Sequence, residues 1–226
     1  MPGTSSPGPW PSFGRVVVLL LVAGLAAAGV RVLLVRSFVV PDTAMAPSLT
    51  VGDRVVVRLP SPDPGEVRRG DVVVVNGEGL PTSSAPPPRP GLAAAGRSLA
   101  KALGTPIGES ERVRRVIGLP GERVTCCDAD GKITVNGRAL DEPYLPRPSP
   151  ASSFPFDVRV PPGRLWLMGD DREDPGGSRA HLGDPDGGTV PLGRVVGRVV
   201  SIWWPWGRAT GIGSADVGPK TREDAE

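Results

Sequence analysis

A mostly β domain behind one apolar N-terminal segment is the fold class this sequence predicts. Valine-rich runs, among them VVV at 55–57 and VVVV at 72–75, recur between clusters of glycine and proline, as strands do between turns. A single stretch, 16–30, is apolar enough to enter a bilayer as a helix.

The chain has 226 residues, room for one domain with a real core plus a membrane segment. Its 31 glycines and 28 prolines would suggest low complexity if spread evenly, but they crowd at 2–14, 79–108, 143–163 and 175–193, where they read as loops. A formal charge of +2 is too small to imply nucleic acid as a partner or a polybasic membrane patch. Lys101, Lys132 and Lys220 are the only lysines and His181 the only histidine, so histidine triads and His-rich metal sites have almost no material. No metal or cofactor is expected. Cys126 and Cys127 are adjacent, which leaves a vicinal disulfide or two thiols open.

Taken in order, 1–14 is Pro, Gly and Ser rich and reads as a disordered tail. The 15 apolar residues of 16–30 would make a helix of about 22 Å, short of a hydrocarbon core of about 30 Å. Continuing to Val35, with Arg31 snorkelling, gives a spanning helix placed at 15–36. A cleaved signal peptide, with Arg15 before the core and Ala26 to Ala28 as a small-residue site, is the competing reading. Arg15 at one end and Arg31 and Arg36 at the other leave the orientation undecided.

The β-domain is expected over 37–208. An extended run enters a bend at 41–47, and Gly52-Asp53 turns the chain into a strand at 53–59. RRGDVVVV at 68–75 is a buried strand entered through a second Gly-Asp corner. A flexible insertion at about 76–110 follows, too long for an ordinary connection. Strands resume with RVRRVIGLPGERV at 112–124, and a hairpin at 132–140 is marked by Asn136-Gly137, the dipeptide of a type I′ turn. Further strands fall at 165–169 and 195–202. Trp203, Trp204 and Trp206 end the domain, in a composition suited to a lipid interface or to the core, and 209–226 reads as a disordered tail.

Three segments together resemble the type I signal peptidases, membrane peptidases with a serine/lysine dyad. Their first box reads Pro-Ser-x-Ser-Met-x-Pro-Thr-Leu; here Pro41, Met45, Pro47 and Leu49 match, with Ser48 for Thr. The second, Lys-Arg-Val-x-Gly-x-Pro-Gly-Asp, matches at Arg115, Val116, Gly118, Pro120 and Gly121. The third, Gly-Asp-Asn-Arg-x-x-Ser-x-Asp-Ser-Arg, matches at Gly169, Asp170, Arg172, Ser178 and Arg179. The resemblance implies a β-domain of antiparallel sheets on the extracytoplasmic side of a single-pass membrane anchor. It also implies a groove for signal peptides lined by Val40, Pro41, Met45, Leu49 and Val113, with Arg115, Asp170, Arg172, Ser178 and Arg179 as support.

The residues that carry the family's chemistry are absent. A serine nucleophile needs a neighbouring base, and a lysine serves as that base only when desolvation lowers its pKa. Ala44 stands at the nucleophile position and Arg114 at the base position. A methyl group cannot attack a carbonyl, and a guanidinium does not give up its proton. Asp42 replaces the serine that helps form the oxyanion hole, where a carboxylate would repel the developing charge. Pro175 and Gly177 replace the serine and aspartate that orient the lysine. Thr43, Ser37 and Ser48 lie near, but none has a lysine in the matching strand.

The sequence therefore predicts a signal peptidase homologue without peptidase activity that binds signal peptides or preproteins, or assists or competes with an active paralogue, at the lipid surface. Two alternatives stay open: an active peptidase with a non-standard nucleophile, and a structural membrane-surface protein.

Overall fold

The computed structural model describes residues 14–24, 35–59, 66–77, 111–146, 148–174 and 176–213. Within them lie twelve strands: β1 (Val35–Val39), β2 (Arg54–Arg58), β3 (Val72–Asn76), β4 (Glu111–Gly118), β5 (Arg123–Cys126), β6 (Ile133–Val135), β7 (Arg138–Ala139), β8 (Phe156–Arg159), β9 (Arg164–Met168), β10 (Val190–Pro191), β11 (Val195–Trp204) and β12 (Thr210–Gly211). One sheet runs β1-β2-β11-β3-β4-β9-β10, with β12 added to β11, and the second runs β7-β6-β5-β8. The mainly β expectation holds.

Burial follows from strand position. β3 is apolar at four successive residues because both its faces are covered: Val72 and Val74 pack with Met45, Leu49, Val57 and Val113, while Val73 and Val75 pack with Val116, Leu165, Leu167 and Val190. β2 instead alternates, with Val55 and Val57 buried and the flanking Arg54 and Arg58 exposed. The second sheet gathers its core around Ile117, Val124, Ile133, Val160 and Trp166. Each such side chain taken from water contributes about 1.5–3 kcal/mol.

The Asn136-Gly137 hairpin forms as expected, with φ of 52° and 78° at those residues joining β6 to β7. The 76–110 insertion falls largely outside the described residues. Its stems are fixed, because Asn76 and Glu111 face each other as the last paired rung of β3 and β4. β8, β10 and β12 were not foreseen. β12 corrects the expected tail: Thr210 and Gly211 pair with Ile202 and Ser201, and Ile212 N–H donates to Val200 O at 2.9 Å. The rest of that tail, like 1–13, lies outside the described residues.

Of the spanning helix expected at 15–36, the described residues bear on the two ends alone. A helix covers 14–24, about 16 Å at 1.5 Å per residue, and Val35 and Arg36 belong to β1 instead. β1 forms because its Phe38, with Val40 beyond it, buries its side chain against β2 and β11. Among the described residues no helix is long and apolar enough to cross a membrane, and 25–34 lie outside them. Cys126 and Cys127 are joined in a vicinal disulfide at the end of β5.

Candidate functional site

The bend after β1 is held by its own backbone. Ala46 N–H donates to Thr43 O and Leu49 N–H to Met45 O, both at 2.8 Å. The buried Asp53 carboxylate at the exit accepts from Thr50 N–H at 2.9 Å and pairs with Arg208 at 3.1 Å. These bonds leave Ala44 fully buried, its carbonyl accepting Asp171 N–H at 3.0 Å. The approach requires glycine at 169, where a Cβ would lie 2.3 Å from the Ala44 oxygen. The first and third boxes thus meet backbone to backbone.

Arg114 reaches the same place from β4. Its Nη1 donates to Val113 O at 2.7 Å and lies 3.3 Å from Asp42 Oδ2. Asp42 Oδ1 in turn accepts Ala44 N–H at 3.2 Å. One carboxylate therefore links the two residues at the nucleophile and base positions. Gly176 and Gly177 make room for the guanidinium: a Cβ on Gly176 would stand 3.0 Å from Arg114 Nη2, and one on Gly177 3.7 Å from Nε. The arrangement has charge and hydrogen bonds but no hydroxyl or amine nucleophile. Thr43, next along, is exposed, and Lys132 lies in the distant β6 hairpin.

Behind the bend lie Arg115, Asp170, Arg172, Ser178 and Arg179, all of them buried. Arg115 Nε and Nη2 grip Asp170 at 2.7 and 2.5 Å, Nη1 donates to Gly70 O at 2.8 Å, and the guanidinium lies 3.8 Å from the centre of the Tyr144 ring. Arg172 donates to Gly169 O at 2.9 Å and Ala151 O at 2.7 Å, and pairs with Glu142. Burial pulls the Arg172 pKa down, but the Glu142 charge and hydrogen bond leave it raised overall. Burial and the Glu142 charge push the Tyr144 phenol well above its usual range. Arg179 donates to Arg172 O and Asp174 O, and Ser178 Oγ accepts Leu167 N–H at 3.0 Å. Burial, reinforced by Arg172, lowers the Arg179 pKa to about 10.

The expected groove-lining residues are placed otherwise. Val40, Met45, Leu49 and Val113 have 0% exposure and belong to the core around β2 and β3; of that set only Pro41 is exposed. Their burial has a simple cause: these apolar side chains point inward between the bend and the sheet, where burial is most favourable. What the segment offers outward is Pro41, Thr43 and Pro47, with Val51 exposed just beyond the bend.

His181, in one of the Gly- and Pro-rich stretches, is buried, with Nδ1 2.7 Å from Asp184 Oδ2. The sequence carries a weak signal for it, an aspartate three residues after the only histidine. Among the described residues no three His, Cys, Asp or Glu side chains converge as a metal site would need. At the domain's end Trp203, Trp204 and Trp206 are 36%, 43% and 74% exposed, so the interface composition lies outside the core.

Comparison with known proteins gives this geometry a lineage. The family profile described as signal peptidase, peptidase S26 matches residues 13–204. A probable signal peptidase I of Mycobacterium leprae is 36% identical over 217 residues, covering 80% of this chain and 72% of that protein. The signal peptidase I of Mycobacterium tuberculosis is 36% identical over 206 residues, covering 76% and 67%. That of Bacillus caldolyticus is 28% identical over 210 residues, covering 87% and 90%. With a profile match across most of its length and relatives above 30% identity, this chain belongs to the signal peptidase family, peptidase S26.

Proposed function

We propose that this protein is a signal peptidase homologue without peptidase activity that engages signal-peptide segments of exported proteins at the membrane. One observation carries the reading: Asp42 spans Ala44 N–H and the Arg114 guanidinium, so an ion pair stands where the family places its nucleophile and base. No group there can attack a carbonyl, and the Ala44 amide already has a carboxylate partner. Since Val40, Met45, Leu49 and Val113 are buried, recognition falls to backbone pairing along the edge strand β1 and its bend, where Pro41, Thr43 and Pro47 are exposed. The exposed tryptophans support seating on lipid, as amphipathic indoles favour the interface. A single-pass anchor from the N-terminal apolar stretch and an extracytoplasmic β-domain follow from the family resemblance.

The test is a preprotein cleavage assay on the detergent-solubilised chain beside variants. The unmodified protein leaves the preprotein intact, while a photo-crosslinkable signal peptide labels the β1 edge. The triple variant D42S/A44S/R114K, which removes the ion pair and supplies hydroxyl and amine, measures whether the scaffold still supports the reaction. Mature product from the unmodified chain, with contaminating proteases excluded, refutes the loss of activity. Absence of crosslinking refutes the binding role.

A further inference from the structure

Behind the Asp42–Arg114 pair lies a second feature that the reading above does not use. A partly open cavity of about 20 Å³ lies between β3, β4, β9, β10 and the 3-10 helix Ser178–His181, with Arg112, Arg114, Leu167, Gly177, Ser178 and His181 in its wall. A volume above about 10–15 Å³ admits a single water-sized guest. The polar lining is of one kind: two arginines, a hydroxyl and an imidazole, with no carboxylate in the wall.

Arg114 is 5% exposed, and its Nε–H has no partner. A buried charged donor left unsatisfied is costly, so its surroundings should contain an acceptor. Gly177 borders Nε, and its φ of 103° is a conformation that side chains rarely adopt, so no side chain from this position fills the space. The other polar groups are already oriented. Ser178 Oγ accepts Leu167 N–H, which leaves its hydroxyl hydrogen to donate. Asp184 holds His181 Nδ1, which leaves Nε2 as the second ring nitrogen.

We infer that this cavity is a binding site for one small monovalent anion, of halide or formate size. The anion accepts from Arg114 Nε–H and sits among Arg112, Ser178 and His181. Because Arg114 Nη1 also faces Asp42, the anion would fix the guanidinium from behind and so brace the ion pair at the front. The inference is independent of whether the front of the site binds peptide.

The test uses the full chain in detergent micelles, with thermal unfolding followed at constant ionic strength while chloride or formate replaces gluconate. The midpoint should rise saturably, by about 5–10 °C at a hundredfold excess over Kd. His181→Gln, which removes the imidazole from the wall, should weaken the response, and Arg114→Met should abolish it. Chloride-35 line broadening reads binding directly should either variant fold poorly. Crystals soaked in bromide should show an anomalous peak beside Arg114 Nε. Equal midpoints in chloride, formate and gluconate, or an ordered water there with no bromide peak, would overturn the proposal.

Discussion

Asp42 and Arg114 lie 72 residues apart in sequence yet 3.3 Å apart in space, with the Asp42 side chain 24% exposed and that of Arg114 6%. Two departures from the family pattern therefore answer each other, since a carboxylate at 42 gives a guanidinium at 114 a partner. The asymmetry in burial predicts asymmetric stability effects. Removing the exposed partner strands a buried charge, whereas removing the buried one frees a carboxylate that water can reach. Urea denaturation should show Asp42→Ala costing about 2 kcal/mol and Arg114→Met under about 1 kcal/mol. The reverse order would mean that the pair does not hold Arg114 in place.

The Arg115–Asp170 pair is a different case, because both side chains are buried, at 3% and 0% exposure. It joins β4 to the turn after β9 through two parallel hydrogen bonds. Asp170→Ala should lower stability by about 3–5 kcal/mol, well above the effect of removing the exposed Arg123–Asp157 pair. A double-mutant cycle of Arg115→Met with Asp170→Ala should recover part of the loss, because neither change then leaves a lone buried charge.

Much of this was legible in the sequence because strand patterns and turn chemistry are local. β2, β3 and β11 follow from valine spacing and Gly-Asp corners, β9 from its apolar run before Gly169-Asp170, and the β6–β7 turn from Asn136-Gly137. Asp42, Ala44 and Arg114 could be singled out only against a family pattern. Their joining through one carboxylate could not, because a contact across 72 residues leaves no periodic trace. The burial of the expected groove residues was hidden for a related reason: Val40, Met45 and Leu49 are apolar whether they face a ligand or a core. β8, β10 and β12 are short and take their pairing from neighbours rather than from their own composition. Hydropathy sets the far bound of the expected spanning helix at 36 and cannot see that Val35 and Arg36 are drawn into β1.

Gly169 offers a steric test of how the first and third boxes fit. A methyl group there would meet the Ala44 carbonyl oxygen at 2.3 Å, and the obstacle is backbone that carries the Asp171 hydrogen bond. Gly169→Ala should cost more than about 2 kcal/mol and lower binding of any segment that uses the bend. Gly193→Ala, where nothing lies within 4 Å of the added carbon, is the matched control and should change stability by less than about 0.5 kcal/mol. Equal effects in thermal melts would show that the 44–169 approach is looser than the structure has it.

Tyr144 is the only tyrosine, which makes its ionisation readable by absorbance near 295 nm. Its hydroxyl donates to Glu142 at 2.6 Å beneath the Arg115 guanidinium, and burial followed by the Glu142 charge raises its pKa. An unfolded tyrosine ionises near about 10. A group whose folded pKa is raised contributes stability fully below its unfolded value and loses it as pH climbs toward the folded one. Folded protein should therefore show no tyrosinate band on titration through pH about 10, and the band should appear with unfolding. The Tyr144 contribution to stability should fall as pH rises above about 10, because the unfolded phenol then releases a proton that the folded one keeps. Glu142→Gln removes the negative charge that helps hold the phenol neutral, so it should bring the tyrosinate transition to lower pH. A band developing near pH about 10 in protein that is still folded would show that the Glu142–Tyr144 contact is open to water.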